Sequence, residues 1–166
     1  MNEKLNGRLK YVARTLRMEA VSRFTAGKAF ATDSKMFDPF GIELEDYCCR
    51  DQLMGIVEHD VPERVLKFHR LTEGPAVHDQ IVERFGEKSF VHVAHVASFM
   101  RSMVRLFKSG KEGDLGATVN FLVQADKDII PIRVGAFDYR DDPKRRFTFG
   151  ATHALPNIHM GLIAHY

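Results

Sequence analysis

The sequence is short of several features that place proteins in familiar classes. Its 166 residues contain no tryptophan and only two cysteines, the adjacent Cys48 and Cys49. Two neighbouring thiols do not make the disulfide framework of a small secreted domain. No segment approaches about 18 consecutive apolar residues, so we expect no membrane-spanning helix. Met1 leads into a polar segment without the apolar core of a signal peptide. The cysteine usage and the polar N-terminus together predict a reduced, cytoplasmic protein.

An excess of charge of one sign is also missing. The chain has 24 basic and 22 acidic residues, so its totals do not indicate a strongly cationic nucleic-acid binder. Hydrophobic residues make up 45% and charged residues 28%, the composition of an ordinary folded domain. The charge is nonetheless uneven, because residues 1–28 carry a net charge of +5 and the remaining chain carries −3.

The basic N-terminal segment has an apolar stripe. Leu5, Leu9, Val12 and Leu16 recur at spacings of three or four, which predicts an amphipathic helix over residues 1–28. An apolar stripe ahead of a compact domain needs a partner, so these four residues are the expected interface of a homodimer. The basic face leaves a nucleic-acid-binding accessory role open as an alternative, although nucleic acid is the less favoured partner.

The rest of the chain reads as helices followed by strands. Two short strands are expected near 28–32 and 41–44, and then short helices near 45–57, 61–71 and 75–85. A longer helix is expected over 94–108 from its apolar spacing. Alternating patterns then predict an antiparallel meander of strands at 117–124, 129–139, 146–153 and 158–166. This order of elements predicts an α+β class.

Residues 91–155 resemble the second half of a PAS (Per-Arnt-Sim) sensor domain. A turn led by His92 enters a helix, a Gly/Glu linker follows, and strands alternate with an Asp-rich turn and an Asp-Pro turn. The resemblance implies that residues 29–166 form one PAS-like domain in which short helices pack on an antiparallel sheet. It also implies a stand-alone sensory or regulatory protein that acts in signal transduction through contacts with a protein partner, and not an enzyme.

The resemblance further implies a small ligand held against the inner face of the sheet. Arg133 or Asn120 would add polar specificity if the strand register turned either one inward. The residues expected to line this hydrophobic pocket are Phe121, Ile132, Val134, Phe147 and Phe149.

No cofactor is the first expectation, and haem and flavin are the alternatives. His69 lies on a predicted helix among apolar neighbours, so it is the expected axial ligand if haem is present. The segment that begins at Cys48 is similar to the flavin-linking segment of light-sensing LOV domains. It lacks the Asn that precedes the reactive cysteine in those domains, and Gln52 comes one residue early.

A second alternative is enzymatic. Arg64 and His69 match the Arg-x4-His motif of HEPN ribonucleases, in which the histidine does acid–base work and the arginine stabilises charge. That family is all-helical, whereas residues 117–166 predict a sheet. His92 and His95 share a helix face, but the sequence has neither a Cys-x-x-Cys nor a His-Glu-x-x-His motif, so no metal site is predicted.

Overall fold

The computed structural model describes residues 7–30, 42–44, 53–109, 111, 118–125, 127–137, 146–151, 157–158 and 161–166. Leu5 and the segment at Cys48 lie outside these residues, so the expectations placed on them are not addressed by the structure. Within the described residues no helix is long and apolar enough to cross a membrane.

Strands dominate the described chain, and three α-helices accompany them. A 3-10 turn at Gly86–Ser89 joins the second helix to the third. The helices are α1 (Ala26–Ala29), α2 (His78–Phe85) and α3 (Val93–Lys108). The strands are β1 (Leu9–Met18), β2 (Val21–Thr25), β3 (Ile42–Leu44), β4 (Val57–Val61), β5 (Arg64–Leu71), β6 (Ala76–Val77), β7 (Val119–Ala125), β8 (Asp128–Phe137), β9 (Arg146–Ala151), β10 (Asn157–Ile158) and β11 (Leu162–His165).

Most of the strands form one sheet. In the described part of the chain this sheet has seven strands in the order β1-β5-β11-β7-β8-β9-β3. Neighbours run antiparallel except at two places, where β11 runs parallel to β7 and β3 runs parallel to β9. The last strand, β11, therefore lies inside the sheet between β5 and β7, and all four of its residues are buried.

The sheet is covered on both faces. One face packs against α3, where the ring of Phe99 lies 5.9 Å from that of Phe68 and 5.1 Å from that of Phe121. The other face packs against α2, where Ile81 joins a smaller apolar cluster with Leu122 and other buried residues. Because both faces are covered, the central strand β7 is buried on both faces over residues 119–123, where Asn120 is the one polar residue.

A glycine allows β11 to enter the sheet. Gly161 has a φ of +96°, a region that residues with side chains rarely adopt. A Cβ atom at this position would overlap the carbonyl oxygen of Thr118. The same carbonyl accepts a hydrogen bond from the backbone N–H of Leu162 at 2.8 Å, which begins the pairing with β7. A side chain at position 161 would therefore push β11 away from β7.

The helix predicted over residues 1–28 is wrong where the structure describes it, because β1 pairs with β5 over Leu9–Met18. In a strand, side chains an odd number of residues apart point to opposite faces of the sheet, and side chains an even number apart point to the same face. Leu9 packs against the cluster on the α2 face, whereas Val12 and Leu16 pack on the α3 face. The spacings that resembled one helical stripe thus serve two faces of a sheet. These three residues were predicted at a dimer interface, and the protein's own core uses them instead.

The other helix predictions divide. The α+β class is confirmed, and the helices expected over 75–85 and 94–108 correspond to α2 and α3. The segment expected to be helical over 61–71 is instead β5, in which Leu66 and Phe68 are buried and Lys67 between them is exposed. Of the segment expected to be helical over 45–57, the structure describes residues 53–57, where 53–54 are helical and β4 begins at Val57. Strands β7, β8 and β9 do form the predicted antiparallel series. The fourth predicted strand does not extend it, because β11 joins the far side of β7.

Phe68→Ala tests the packing of β5 against α3. Phe68 is fully buried and contacts Phe99, so we expect the free energy of unfolding to fall by about 3–5 kcal/mol. Val65→Ala is the matched control in the same strand, since Val65 is 43% exposed, and should cost less than about 1 kcal/mol. Urea unfolding of both variants measures the difference. Equal losses would show that Phe68 is not a core residue.

Candidate functional site

A cavity of about 840 Å³ opens beside the first turn of α3. Strands β4 and β5, the 3-10 turn, the segment that leads into α3 and the chain around β7 and β11 all contribute to its walls. Two backbone hydrogen bonds hold these parts together, from Val91 N–H to Leu122 O at 2.8 Å and from Tyr166 N–H to Lys88 O at 2.9 Å. The lining residues are Glu58, Arg64, Glu87, Lys88, Phe90, Val91, His92, Gln124 and Tyr166.

The carboxylate of Glu58 caps the start of α3. Its Oε1 accepts the backbone N–H of Val93 at 3.0 Å, and its Oε2 accepts that of Ala94 at 2.8 Å. The first N–H groups of a helix have no partner within the helix, and its positive end favours a negative charge. Glu58 lies on β4, 35 residues before Val93 in the sequence, so the carboxylate that caps α3 comes from a distant strand.

The same carboxylate also holds a histidine. Glu58 Oε1 lies 3.1 Å from Nδ1 of His92. Burial pushes the pKa of Glu58 upward, but the hydrogen bonds from His92, Ala94 and Val93 outweigh it, so the pKa lies below its usual value. Glu58 is therefore ionised and accepts the Nδ1 proton of His92. In neutral His92 this leaves Nε2 as the unprotonated ring nitrogen.

Tyr166 and His95 form an uncharged support behind His92. His95 Nε2 lies 3.2 Å from the carbonyl oxygen of Glu19, which can only accept a hydrogen bond, so Nε2 carries the proton of the neutral ring. His95 Nδ1 is then the acceptor, and the Tyr166 hydroxyl donates to it at 2.7 Å. The Tyr166 oxygen in turn accepts the backbone N–H of His92 at 2.9 Å. Burial lowers the pKa of His95 and raises the pKa of Tyr166. Both groups therefore stay neutral and fix the backbone of His92.

Two cations, the carboxylate of Glu87, the amide of Gln124 and an apolar surface form the rest of the cavity lining. The guanidinium of Arg64 lies 5.9 Å from the centre of the Tyr166 ring, within the range of a cation–π contact. Arg64 and Lys88 are both exposed at the cavity. Phe90 and Val91 contribute apolar surface beside them. The arrangement can hold a small molecule that has an anionic group and an apolar part.

A second polar cluster lies on the α2 face of the sheet. Nδ1 of His165 donates to the carbonyl oxygen of Tyr166 at 2.8 Å, so Nε2 of His165 accepts from Nδ1 of His69 at 3.1 Å. The ring of Phe85 stacks on His165 at 3.9 Å, and the ring of Tyr11 lies 5.4 Å from His69. Burial lowers the pKa of His165 to about 4. This histidine pair is held neutral among aromatic rings.

The residues predicted to line a pocket lie elsewhere. Phe121, Ile132 and Val134 belong to the core on the α3 face, and the register places Phe149 opposite Val134. Phe147 lies opposite residue 136 in the same pairing, and the structure describes the backbone alone at both phenylalanines. A ligand pocket at these residues stays a prediction.

The two polar residues considered for that pocket lie on the other face of the sheet. Asn120 is two residues from Leu122, which packs against α2, and Arg133 is its register partner in β8. The side-chain amide of Asn120 donates to the carbonyl oxygen of Leu162 at 3.0 Å, so it helps to hold β11 in place.

The structure does not bring together Arg64 and His69, the pair expected of a ribonuclease, and a ribonuclease function stays a prediction. Both residues lie on β5, where a spacing of five turns their side chains to opposite faces. Arg64 lines the cavity, whereas His69 joins His165 on the α2 face. The expected haem ligand therefore stands on a strand and not on a helix, and haem binding at His69 stays a prediction. Among the described residues, no three His, Cys, Asp or Glu side chains come together as a metal site.

Sequence reasoning found part of the cavity and missed the rest. It paired His92 with His95 on one helix face, and the two rings do meet, 5.7 Å apart. It missed Glu58 and Tyr166, which lie 34 residues before and 74 residues after His92. No local pattern marks either residue, because only the tertiary fold brings them to α3.

Comparison with known proteins adds no assignment. No family model, no curated protein and no solved structure matches the chain.

Glu58→Ala removes the cap of α3. Two backbone N–H groups and His92 lose their acceptor, so we expect the free energy of unfolding to fall by about 2–4 kcal/mol. The stabilisation by ionised Glu58 is complete at a pH above the ordinary pKa of a glutamate. It is lost as the pH falls through the lower pKa that Glu58 has in the folded protein. Glu63→Ala is the control, because its ion pair with Arg17 is exposed and should contribute much less to stability than the Glu58 cap does. Denaturant curves at pH 7 and pH 4 measure both effects.

The buried histidine pair predicts acid sensitivity. The pKa of His165 is lowered from 6.5 to about 4 in the folded protein, so the unfolded chain takes up a proton at a higher pH than the folded one. The free energy of unfolding is therefore unaffected by His165 above pH 6.5 and falls as the pH drops from 6.5 towards 4. The loss should reach at most about 3 kcal/mol. His165→Gln should flatten this part of the stability curve, whereas His59→Gln, at an exposed histidine, should not. An unchanged slope in His165→Gln would contradict the assignment.

Proposed function

We propose that this protein is a ligand-binding regulatory protein, and that its ligand is a small organic anion held in the cavity beside α3. The observation that carries the proposal is which charged groups at the cavity already have hydrogen-bond partners and which are exposed. The Glu58 carboxylate is satisfied by α3 and His92, which leaves two exposed cations at the cavity, Arg64 and Lys88, against one exposed carboxylate, Glu87. Charge-assisted hydrogen bonds to a carboxylate or phosphate are the strongest that these two cations can make.

The remaining walls indicate the rest of the ligand. Phe90, Val91 and the ring of Tyr166 give apolar surface, and Gln124 gives an amide. A volume of about 840 Å³ suits a metabolite-sized molecule. These features favour a compact organic acid over an inorganic anion, because an inorganic ion would leave the apolar walls in contact with water.

The position of the cavity supports a regulatory role. A ligand there would touch the start of α3 through His92 and the end of the central strand β11 through Tyr166. Occupancy could thus bias the packing of both elements, which is what a sensor needs to change its surface. The proposal includes a protein partner that reads this change, and self-association as a homodimer through a surface other than the buried Val12 and the partly buried Leu16.

Titration calorimetry with a panel of small carboxylates and phosphates tests the binding site. We expect at least one organic acid to bind, and the double variant R64A/K88A to weaken it more than tenfold, since each charged hydrogen bond contributes about 1.5–3 kcal/mol. The control is R101A/K127A, which removes two exposed cations that do not line the cavity. Equal affinity in both double variants, or no binding across the panel, would exclude the proposed site.

A further inference from the structure

We propose that the cavity is also a proton-transfer site, in which Nε2 of His92 removes a proton from the carbon next to the carbonyl group of a bound 2-oxo acid. This inference rests on the proposed function, because it takes the organic anion bound there as its substrate. It adds an activity and a substrate class to the binding site.

The geometry of a general base is present. Nδ1 of His92 is held by the Glu58 carboxylate at 3.1 Å, which fixes the tautomer and leaves the lone pair on Nε2. The side chain of His92 is 40% exposed while that of Glu58 is 15% exposed, so the imidazole lies between a buried carboxylate and the cavity. The ring of His95 meets it edge-on at 5.7 Å and the backbone is fixed by Tyr166, so the base is held in one orientation.

The charged groups around His92 suit this reaction. Glu58 is ionised, so it stabilises the imidazolium that forms when Nε2 takes a proton. His95 and Tyr166 stay neutral and make hydrogen bonds without competing for that proton. The remaining charged groups that face the cavity are Arg64, Lys88 and Glu87. The two cations can hold the substrate carboxylate and stabilise negative charge on the carbonyl oxygen.

The lining residues favour proton abstraction over acyl transfer. None of the nine described residues around the cavity is a serine, threonine or cysteine, so the cavity wall holds no side chain of the usual acyl-transfer nucleophiles. Removal of a proton next to a carbonyl needs only a base and a cation near the oxygen. Both are present in the cavity.

The step balances without a further reactant. The C–H bond at carbon 3 of the acid breaks, its electron pair forms a C=C bond, and the carbonyl oxygen becomes an enolate. The proton goes to Nε2 of His92. The imidazolium then exchanges its proton with water and returns one to carbon 3, so the net reaction in heavy water replaces hydrogen by deuterium. No oxidant or reductant takes part.

Proton NMR in heavy water tests the inference with 2-oxobutyrate and 2-oxoglutarate. The wild-type protein should speed the loss of the carbon-3 signal at least tenfold over buffer, with saturation at high acid concentration. General acid–base catalysis contributes about 10²–10⁴-fold, so His92→Gln should return the rate to that of buffer. His59→Gln is the control, because His59 adjoins Glu58 in sequence but is exposed and outside the cavity lining.

A second variant separates positioning from folding. Glu58→Gln keeps an oxygen that can accept from α3 but loses the charge that orients His92, so Glu58 acts here as a positioning residue. We expect the exchange rate at saturation to fall about 10-fold or more, while the half-saturating acid concentration stays within about twofold. A purely structural role would instead change folding, seen by circular dichroism, and leave the rate per folded molecule unchanged.

Each outcome is decisive. Exchange that is lost in His92→Gln and kept in His59→Gln supports the inference. If the acids bind by calorimetry and no exchange exceeds that of buffer, the inference is overturned while the proposed binding function stands. Exchange that persists in His92→Gln also overturns it. Failure of every anion in the calorimetric panel to bind removes both the inference and the proposed function.

Discussion

The pairing of β11 with β5 on one side and β7 on the other holds the structure together. These two pairings join the N-terminal strands to the β7–β8–β9 series, so without β11 the two halves of the sheet are not hydrogen-bonded to each other. The strand also carries functional groups to fixed places. Neighbouring residues of a strand point to opposite faces, which sends His165 towards α2 and places Tyr166, just beyond the strand, beside α3.

Glu58 links the fold to the cavity. One buried carboxylate accepts two N–H groups of α3 and orients a histidine, so the group that stabilises the helix also fixes the candidate base. An ionised carboxylate is costly to bury unless such partners surround it. The arrangement therefore requires the start of α3 and the ring of His92 both to lie within hydrogen-bond distance of Glu58 on β4. This explains why the polar groups of the site are held by hydrogen bonds from several elements and not by one loop.

Sequence periodicity predicted the elements whose environment is simple. Helix α3 presents one apolar face with Val96 and Phe99 to the sheet, and β7 is rich in β-branched and aromatic apolar residues, so the sequence predicts both elements correctly. It failed for β1, because a spacing of four fits a helix and a strand equally well, and the charged Arg14, between Val12 and Leu16, hid the alternation. The cap by Glu58 and the hydroxyl of Tyr166 could not be predicted, since their partners are 34 to 74 residues away.

The central place of β11 has a consequence for synthesis. Strand β5 leaves the ribosome about 90 residues before β11, and until residues 162–165 emerge, β5 and β7 each keep an unpaired edge beside apolar side chains. Such exposed edges attract other chains, and pairings between distant residues form slowly. Aggregation during synthesis should therefore depend on how soon β11 follows β7, and a nascent chain stalled before Gly161 would lack the strand that joins β5 to β7.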